Sequence, residues 1–131
     1  MDASDDPPVM VSCPCPTPLS LQPGTTDVRV VLVTAPAGAP AAELARRLVD
    51  ECLAACVNVI PGVRSIYRWE GEVCDDSEDL LVIKTASDRL ESMVARVREV
   101  HPYAVPEVLA IAVTAGSQPY LEWVFANSRP G

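Results

Sequence analysis

Val57-Asn58-Val59-Ile60-Pro61-Gly62-Val63-Arg64-Ser65-Ile66-Tyr67-Arg68-Trp69 is a long strand-like stretch with one break, at Pro61-Gly62. Side chains alternate along an extended backbone, so Val63, Ser65, Tyr67 and Trp69 fall on one face beyond the break. Arg64, Ile66, Arg68 and Glu70 fall on the other. Proline has no N–H for a sheet ladder, and glycine accepts backbone angles that other residues avoid. The pair therefore predicts a bulge or bend inside a strand. Glu70 to Asp79 is polar and acidic, and it leads into a second strand, Leu80-Leu81-Val82-Ile83-Lys84-Thr85. Together the pieces read as a hairpin with an irregular tip.

On the N-terminal side of the hairpin, Val28-Arg29-Val30-Val31-Leu32-Val33-Thr34 is almost continuously apolar and β-branched, like a central strand covered on both faces. Ala35 to Pro40 form a loop. Ala41, Leu44, Ala45, Leu48, Val49, Cys52, Leu53 and Cys56 then recur at helical spacing, with Glu43, Arg46, Arg47, Asp50 and Glu51 opposite them. On the C-terminal side, Ser87 or Asp88 is placed to cap a second helix, and Asp88 with Glu91 has capping-box spacing. Its stripe runs through Leu90, Met93, Val94, Val97 and His101. Val108 to Thr114 reads as a strand, and Ser117 and Pro119 as the start of a last short helix. The order is βαββαβ plus a C-terminal helix. Two βα crossovers around one hairpin predict an α+β, ferredoxin-like fold, an antiparallel sheet with both main helices on one face. The other face has only the last helix to cover it. An exposed apolar face of that size is normally hidden in a partner, so the pattern predicts a homo-oligomer.

The chain has 131 residues, enough for one domain that folds without metal or disulfides. Residues 1–26 hold six of the thirteen prolines and no sustained period, so they read as a disordered Pro-rich tail. Residues 27–131 are then the single folded domain. A net charge of −8 leaves no basic stripe for nucleic acid. No apolar run approaches the ~20 residues needed to span a bilayer. Met1 to Asp6 is acidic where a signal peptide is basic, and the expected location is cytoplasmic. Five cysteines, an odd number, point to reduced thiols. Cys13 and Cys15 read as incidental to the tail, and Cys52 and Cys56 as small apolar members of the helix stripe. The carboxylates Glu70, Glu72, Asp75, Asp76, Glu78 and Asp79 lack the spacing of a calcium loop and read as a solvated hairpin tip.

The one histidine opens His101-Pro102-Tyr103-Ala104-Val105-Pro106-Glu107, where the second helix stops and a strand begins. Two prolines stiffen this segment, each fixing its own φ and restricting the residue before it. An imidazole, a phenol and a carboxylate held this way have the character of a site.

Several stretches carry a family resemblance in their order and spacing. They are Leu53-Ala54-Ala55-Cys56-Val57-Asn58, Tyr67-Arg68-Trp69-Glu70-Gly71, Ile83-Lys84-Thr85, His101-Pro102-Tyr103 with Pro106-Glu107, and Tyr120-Leu121-Glu122-Trp123. From about Val28 to Asn127 the chain closely resembles the CutA divalent-cation tolerance family. The resemblance implies a ferredoxin-like fold and a homotrimer whose sheets associate through their edges, with the long second and third strands reaching the neighbouring subunit. It also implies a part in tolerance of divalent metals, copper above all. One position departs from it. Many relatives carry a cysteine, proposed as a copper ligand, before the Thr-Ala-Pro that follows the first strand. Here Val33 precedes Thr34-Ala35-Pro36, so the soft ligand is absent.

The resemblance makes His101 and Glu107 the metal candidates. An imidazole and a carboxylate suit copper(II), zinc or nickel, held weakly, with a further ligand from water or another subunit. In the competing structural role, His101 ends the helix against its last carbonyls, and Glu107 pairs with Lys84 or an arginine. Tyr67, Trp69, Lys84, Tyr103, Tyr120 and Trp123 hold most of the ring and amine chemistry. As a set they line an intersubunit cleft in which Lys84 receives an anion, or they serve as interface and core residues. The expectation is a trimeric, non-enzymatic metal-response protein that binds copper or another divalent cation weakly. The alternative is a signalling or scaffold trimer, analogous to the PII regulators, that binds a small anion or a partner protein in those clefts. An enzyme using His101 as general base beside Tyr103 and Glu107 ranks last, because no nucleophile or cofactor motif accompanies the trio.

Overall fold

The computed structural model describes residues 26–131, so the tail expected over 1–26, with Cys13 and Cys15, lies outside the described residues except for Thr26. Strand β1 (Val28–Pro36), helix α1 (Ala39–Asp50), strands β2 (Cys56–Trp69) and β3 (Glu72–Ala86), helix α2 (Leu90–Val100), strand β4 (Leu109–Ala112) and helix α3 (Gln118–Asn127) follow the expected order. They build a four-stranded sheet ordered β2-β3-β1-β4, antiparallel throughout.

Alternation along the strands sorts the sheet into two faces. Val31, Val33 and Ala35 of β1 and Leu81 and Ile83 of β3 turn toward the helices. There they join Ala41, Leu44, Ala45 and Leu48 of α1 and Met93 and Val97 of α2 in the main core. On the opposite face, α3 covers only one end, where Leu121 and Val124 bury Val28. Among the described residues, no helix lies over the rest of that face, Val30, Leu32, Leu80 and Val82 with the more exposed Ile60, Leu109 and Ile111.

The Pro61-Gly62 break is a β-bulge. Ile60 pairs with Leu80 and Val63 with Glu78, so two residues of β2 oppose the single Asp79. Gly62 sits at φ 78°, a left-handed conformation that suits glycine. The extra residue shifts the parity of the strand. Before the bulge the even residues Asn58 and Ile60 lie on the face away from α1 and α2. After it the odd residues Ser65, Tyr67 and Trp69 take that face, level with Glu78 and Asp76 of β3.

Three local expectations are corrected. The hairpin has no irregular tip: β3 begins at Glu72, and Glu70-Gly71 make a two-residue turn with φ 50° and 83°, as in a type I′ hairpin. The acidic run is a strand because its partners compensate for low β-propensity. Arg64 pairs with Asp75 at 2.6 Å, and the Tyr67 hydroxyl donates to Asp76. The capping box of α2 does not form. A 3-10 turn, Ser87–Arg89, precedes the helix, and the Asp88 carboxylate pairs with Arg129 at 2.7 Å. The stripe of α1 also stops before Cys52, which takes φ 59°, while Cys56 opens β2.

The end of α1 is a Schellman motif. Leu53 N–H donates to the Leu48 carbonyl at 2.9 Å and Cys52 N–H to that of Val49 at 3.0 Å, with Leu48 and Leu53 both in the core. A side chain at the left-handed position carries a steric cost that glycine avoids. Cys52→Gly is therefore expected to stabilise the fold by about 1 kcal/mol, raising the melting temperature by roughly 5 °C. Thermal unfolding followed by circular dichroism checks it, and a lower melting point contradicts it.

Candidate functional site

Because the bulge changes the parity of β2, Tyr67 and Trp69 come to the same side as Glu78, next to the stiff segment that follows α2. The result is a cleft of about 660 Å³ lined by Thr34, Ser65, Ile66, Tyr67, Trp69, Glu78, Tyr103, Ala104, Val105 and Glu107. Among the described residues that form its walls, none is basic.

His101 is not one of the lining residues; it stands behind Tyr103 and supports that side of the cleft. The residue is 7% exposed and caps α2, its N–H donating to the Val97 carbonyl at 2.8 Å. Its Nδ1 accepts the Tyr103 N–H at 3.1 Å, and its Nε2 lies 2.8 Å from the Thr34 carbonyl. A backbone N–H can only donate and a carbonyl can only accept, so the ring is the neutral tautomer with its proton on Nε2. Both nitrogens are engaged, one to β1 and one to the turn it supports. The expected contact with the last helix carbonyls is made by the His101 backbone instead of the ring.

Tyr103 follows from this anchor. Its ring lies 4.7 Å from the imidazole, centre to centre, and its hydroxyl donates to Glu78 Oε2 at 2.7 Å. Burial, then the hydrogen bond to Glu78, pushes the phenol up to about 12, so it stays protonated and donating at neutral pH. The Tyr67 phenol is held above its usual range by its bond to Asp76. Glu107, the other metal candidate, lines the cleft as an exposed carboxylate. Among the described residues no three His, Cys, Asp or Glu side chains are grouped to hold a metal ion.

Within one chain the six ring and amine residues divide into two groups. Tyr67, Trp69 and Tyr103 line the cleft, whereas Lys84, Tyr120 and Trp123 do not. Lys84 pairs across the sheet with Cys56 and Val30, and its ammonium donates to Asn58. Tyr120 and Trp123 stack on α3 with ring centres 5.7 Å apart. Val33 is fully buried in the main core and forms no part of the cleft.

Sequence reasoning placed Glu78 and Asp79 in a solvated hairpin tip, and this is corrected: both are 5% exposed. Asp79 accepts the Gly38 N–H at 3.0 Å through Oδ2 and the Gly62 N–H at 3.3 Å through Oδ1, tying the start of α1 to the bulge. The available signal was parity: a strand read through to Gly71 places Glu78 on the Tyr67 face.

The family profile described as CutA1 divalent ion tolerance protein matches residues 29–127. A divalent-cation tolerance protein CutA of Thermus thermophilus is 46% identical over 99 residues, 76% of this chain and 96% of that one. The chloroplastic CutA of Arabidopsis thaliana is 49% identical over 100 residues, 76% of this chain and 55% of the plant protein. The crystal structure of CutA1 from Oryza sativa superposes with a TM-score of 0.77 at 42% identity, covering 82% of this chain and 98% of its own.

Proposed function

The chain belongs to the CutA1 divalent ion tolerance family, and from that premise we propose that it acts as a homotrimeric, non-enzymatic divalent-cation tolerance protein that holds copper or another divalent cation weakly. The observation that carries this reading is that Glu107, exposed, and Glu78, 5% exposed, line one cleft in which no described lining residue is basic. Carboxylate oxygens without a competing ammonium or guanidinium attract a divalent cation. Glu107 is the direct ligand in this reading. His101 joins it only by releasing the Tyr103 N–H or the Thr34 carbonyl, which is a reason for low affinity. The trimer is supported by the apolar sheet face that α3 leaves uncovered. A cytoplasmic location belongs to the same proposal, supported by the free thiols of Cys52, Cys56 and Cys74. Among the described residues no helix is long and apolar enough to cross a membrane.

Calorimetric titration with copper(II) or zinc chloride tests the site. Glu107→Gln is expected to weaken binding about tenfold or more, since it removes the charged ligand. Equal affinities for this variant and the wild type would remove the cleft from the proposal. His101→Asn separates the two roles of the imidazole: unchanged affinity assigns it to supporting Tyr103, and a loss equal to that of Glu107→Gln assigns it to the metal.

A further inference from the structure

Glu78 is a carboxyl group 5% exposed to solvent that forms no ion pair among the described residues. Its Oε2 accepts the Tyr103 hydroxyl, and Oε1 has no hydrogen-bond partner among them. A buried carboxylate with one oxygen unanswered is costly, and that cost is relieved by a donor carrying positive charge. The cleft it lines offers such a donor more than a bare ion would need. Its volume of about 660 Å³ is that of a small-molecule site, and its walls are the rings of Tyr67, Trp69 and Tyr103 with the apolar Ile66 and Val105.

We propose that this cleft receives a small organic ammonium ion bearing an apolar group, its charge set against Glu78 and its body against the aromatic walls. The proposal goes beyond the divalent-cation reading and shares with it the cleft and the Glu78 carboxylate. Aromatic faces attract ammonium groups through the ring quadrupole, and a nearby carboxylate adds direction. The rings are held in place beforehand. The Tyr67 hydroxyl is committed to Asp76 and that of Tyr103 to Glu78, while His101 fixes the Tyr103 backbone. Rings so held lose little freedom on binding. Among the described lining residues an anion would meet two carboxylates and no basic group, and a neutral molecule would leave Glu78 Oε1 unanswered.

The chain has two tryptophans, so Trp123→Phe leaves Trp69 as the only indole, a reporter on the cleft wall. Benzylamine, a cation at neutral pH, and the neutral benzyl alcohol are titrated into this variant with EDTA present throughout. Benzylamine is expected to change Trp69 emission saturably and to bind at least about tenfold more tightly than the alcohol. Adding Glu78→Gln should abolish that preference, whereas Glu122→Gln on α3 should preserve it. If Glu78→Gln disturbs the fold, Trp69→Leu at an exposed position, followed by calorimetry, takes its place and should weaken benzylamine. No saturable change, equal binding of amine and alcohol, or an unchanged preference in Glu78→Gln overturns the proposal. Because EDTA removes divalent ions, failure here is independent of the copper titration above, which stands or falls on Glu107.

Discussion

Asp79→Ala is expected to lower the melting temperature by more than about 10 °C and to loosen β2 beyond its bulge. The carboxylate is 5% exposed and takes both of its hydrogen bonds from backbone N–H groups of glycines, Gly38 at 3.0 Å and Gly62 at 3.3 Å. Hydrogen bonds to a charged acceptor contribute about 1.5–3 kcal/mol each. Losing the pair leaves both donors short of a partner, a loss of about 3 kcal/mol or more. In a domain of this size each kcal/mol moves the midpoint by roughly 4–8 °C. The helix adds to the effect: Gly38 is the N-cap of α1 and has no side-chain cap of its own, so Asp79 supplies the negative charge at that end. Asp79→Asn should fall between the two, since an amide oxygen still accepts one N–H while its NH2 faces the other. Thermal unfolding read by circular dichroism gives the stability. Hydrogen exchange at Gly62 and along Val63 to Trp69 shows whether the loss is local to the bulge. An alanine variant that melts with the wild type would show that the bulge is held by strand pairing alone.

This dependence on one side chain explains what the sequence conveys and what it hides. The break at Pro61-Gly62 is legible, because proline and glycine have backbone requirements that no neighbour can change. The βαββαβ order is legible as well, since the stripes of α1 and α2 and the apolar strands are periodic. The run from Glu72 to Asp79 is not, because its strand conformation comes from Arg64, Tyr67 and the ladder across from it rather than from its own propensity. With that strand unread, the parity on which the cleft depends is lost too, and Glu78 disappears among its acidic neighbours. The end of α1 is hidden for a related reason. Leu53 continues the apolar spacing of the helix, yet it reaches the same core through the Schellman turn at Cys52. His101 was legible as a special residue but not as to its role, which depends on Thr34, a residue distant in sequence that β1 delivers to it.

Ile111→Asp is expected to convert the proposed homotrimer, near three times the 14.0 kDa chain mass, into single chains, as read by light scattering. Ile111 and Leu109 are 48% and 57% exposed, and they pair across the sheet with Val30 and Leu32 on the face away from α1 and α2. With Ile60 at 45% exposure they extend one apolar surface that α3 leaves open. Within one chain the substitution falls on an exposed side chain, so the monomer should keep its circular dichroism. At a packed interface the same carboxylate must be desolvated without a partner, a cost of several kcal/mol. Cyclic symmetry repeats that cost at every interface, so one change per chain counts three times in a trimer. Arg98→Asp, at another exposed position on α2, introduces an acidic group on the helix face and should leave the mass untouched. A wild type that runs as a single chain would remove the trimer, and a trimer that survives Ile111→Asp would move the interface off this face. The distinction matters for the cleft, whose walls come from β1, the β2–β3 arm and the turn after α2 of one chain. If dispersed Ile111→Asp chains still bind through Glu78 and Glu107, the site is complete in a single subunit. If binding is lost with the trimer while the fold persists, a neighbouring chain supplies the missing contact.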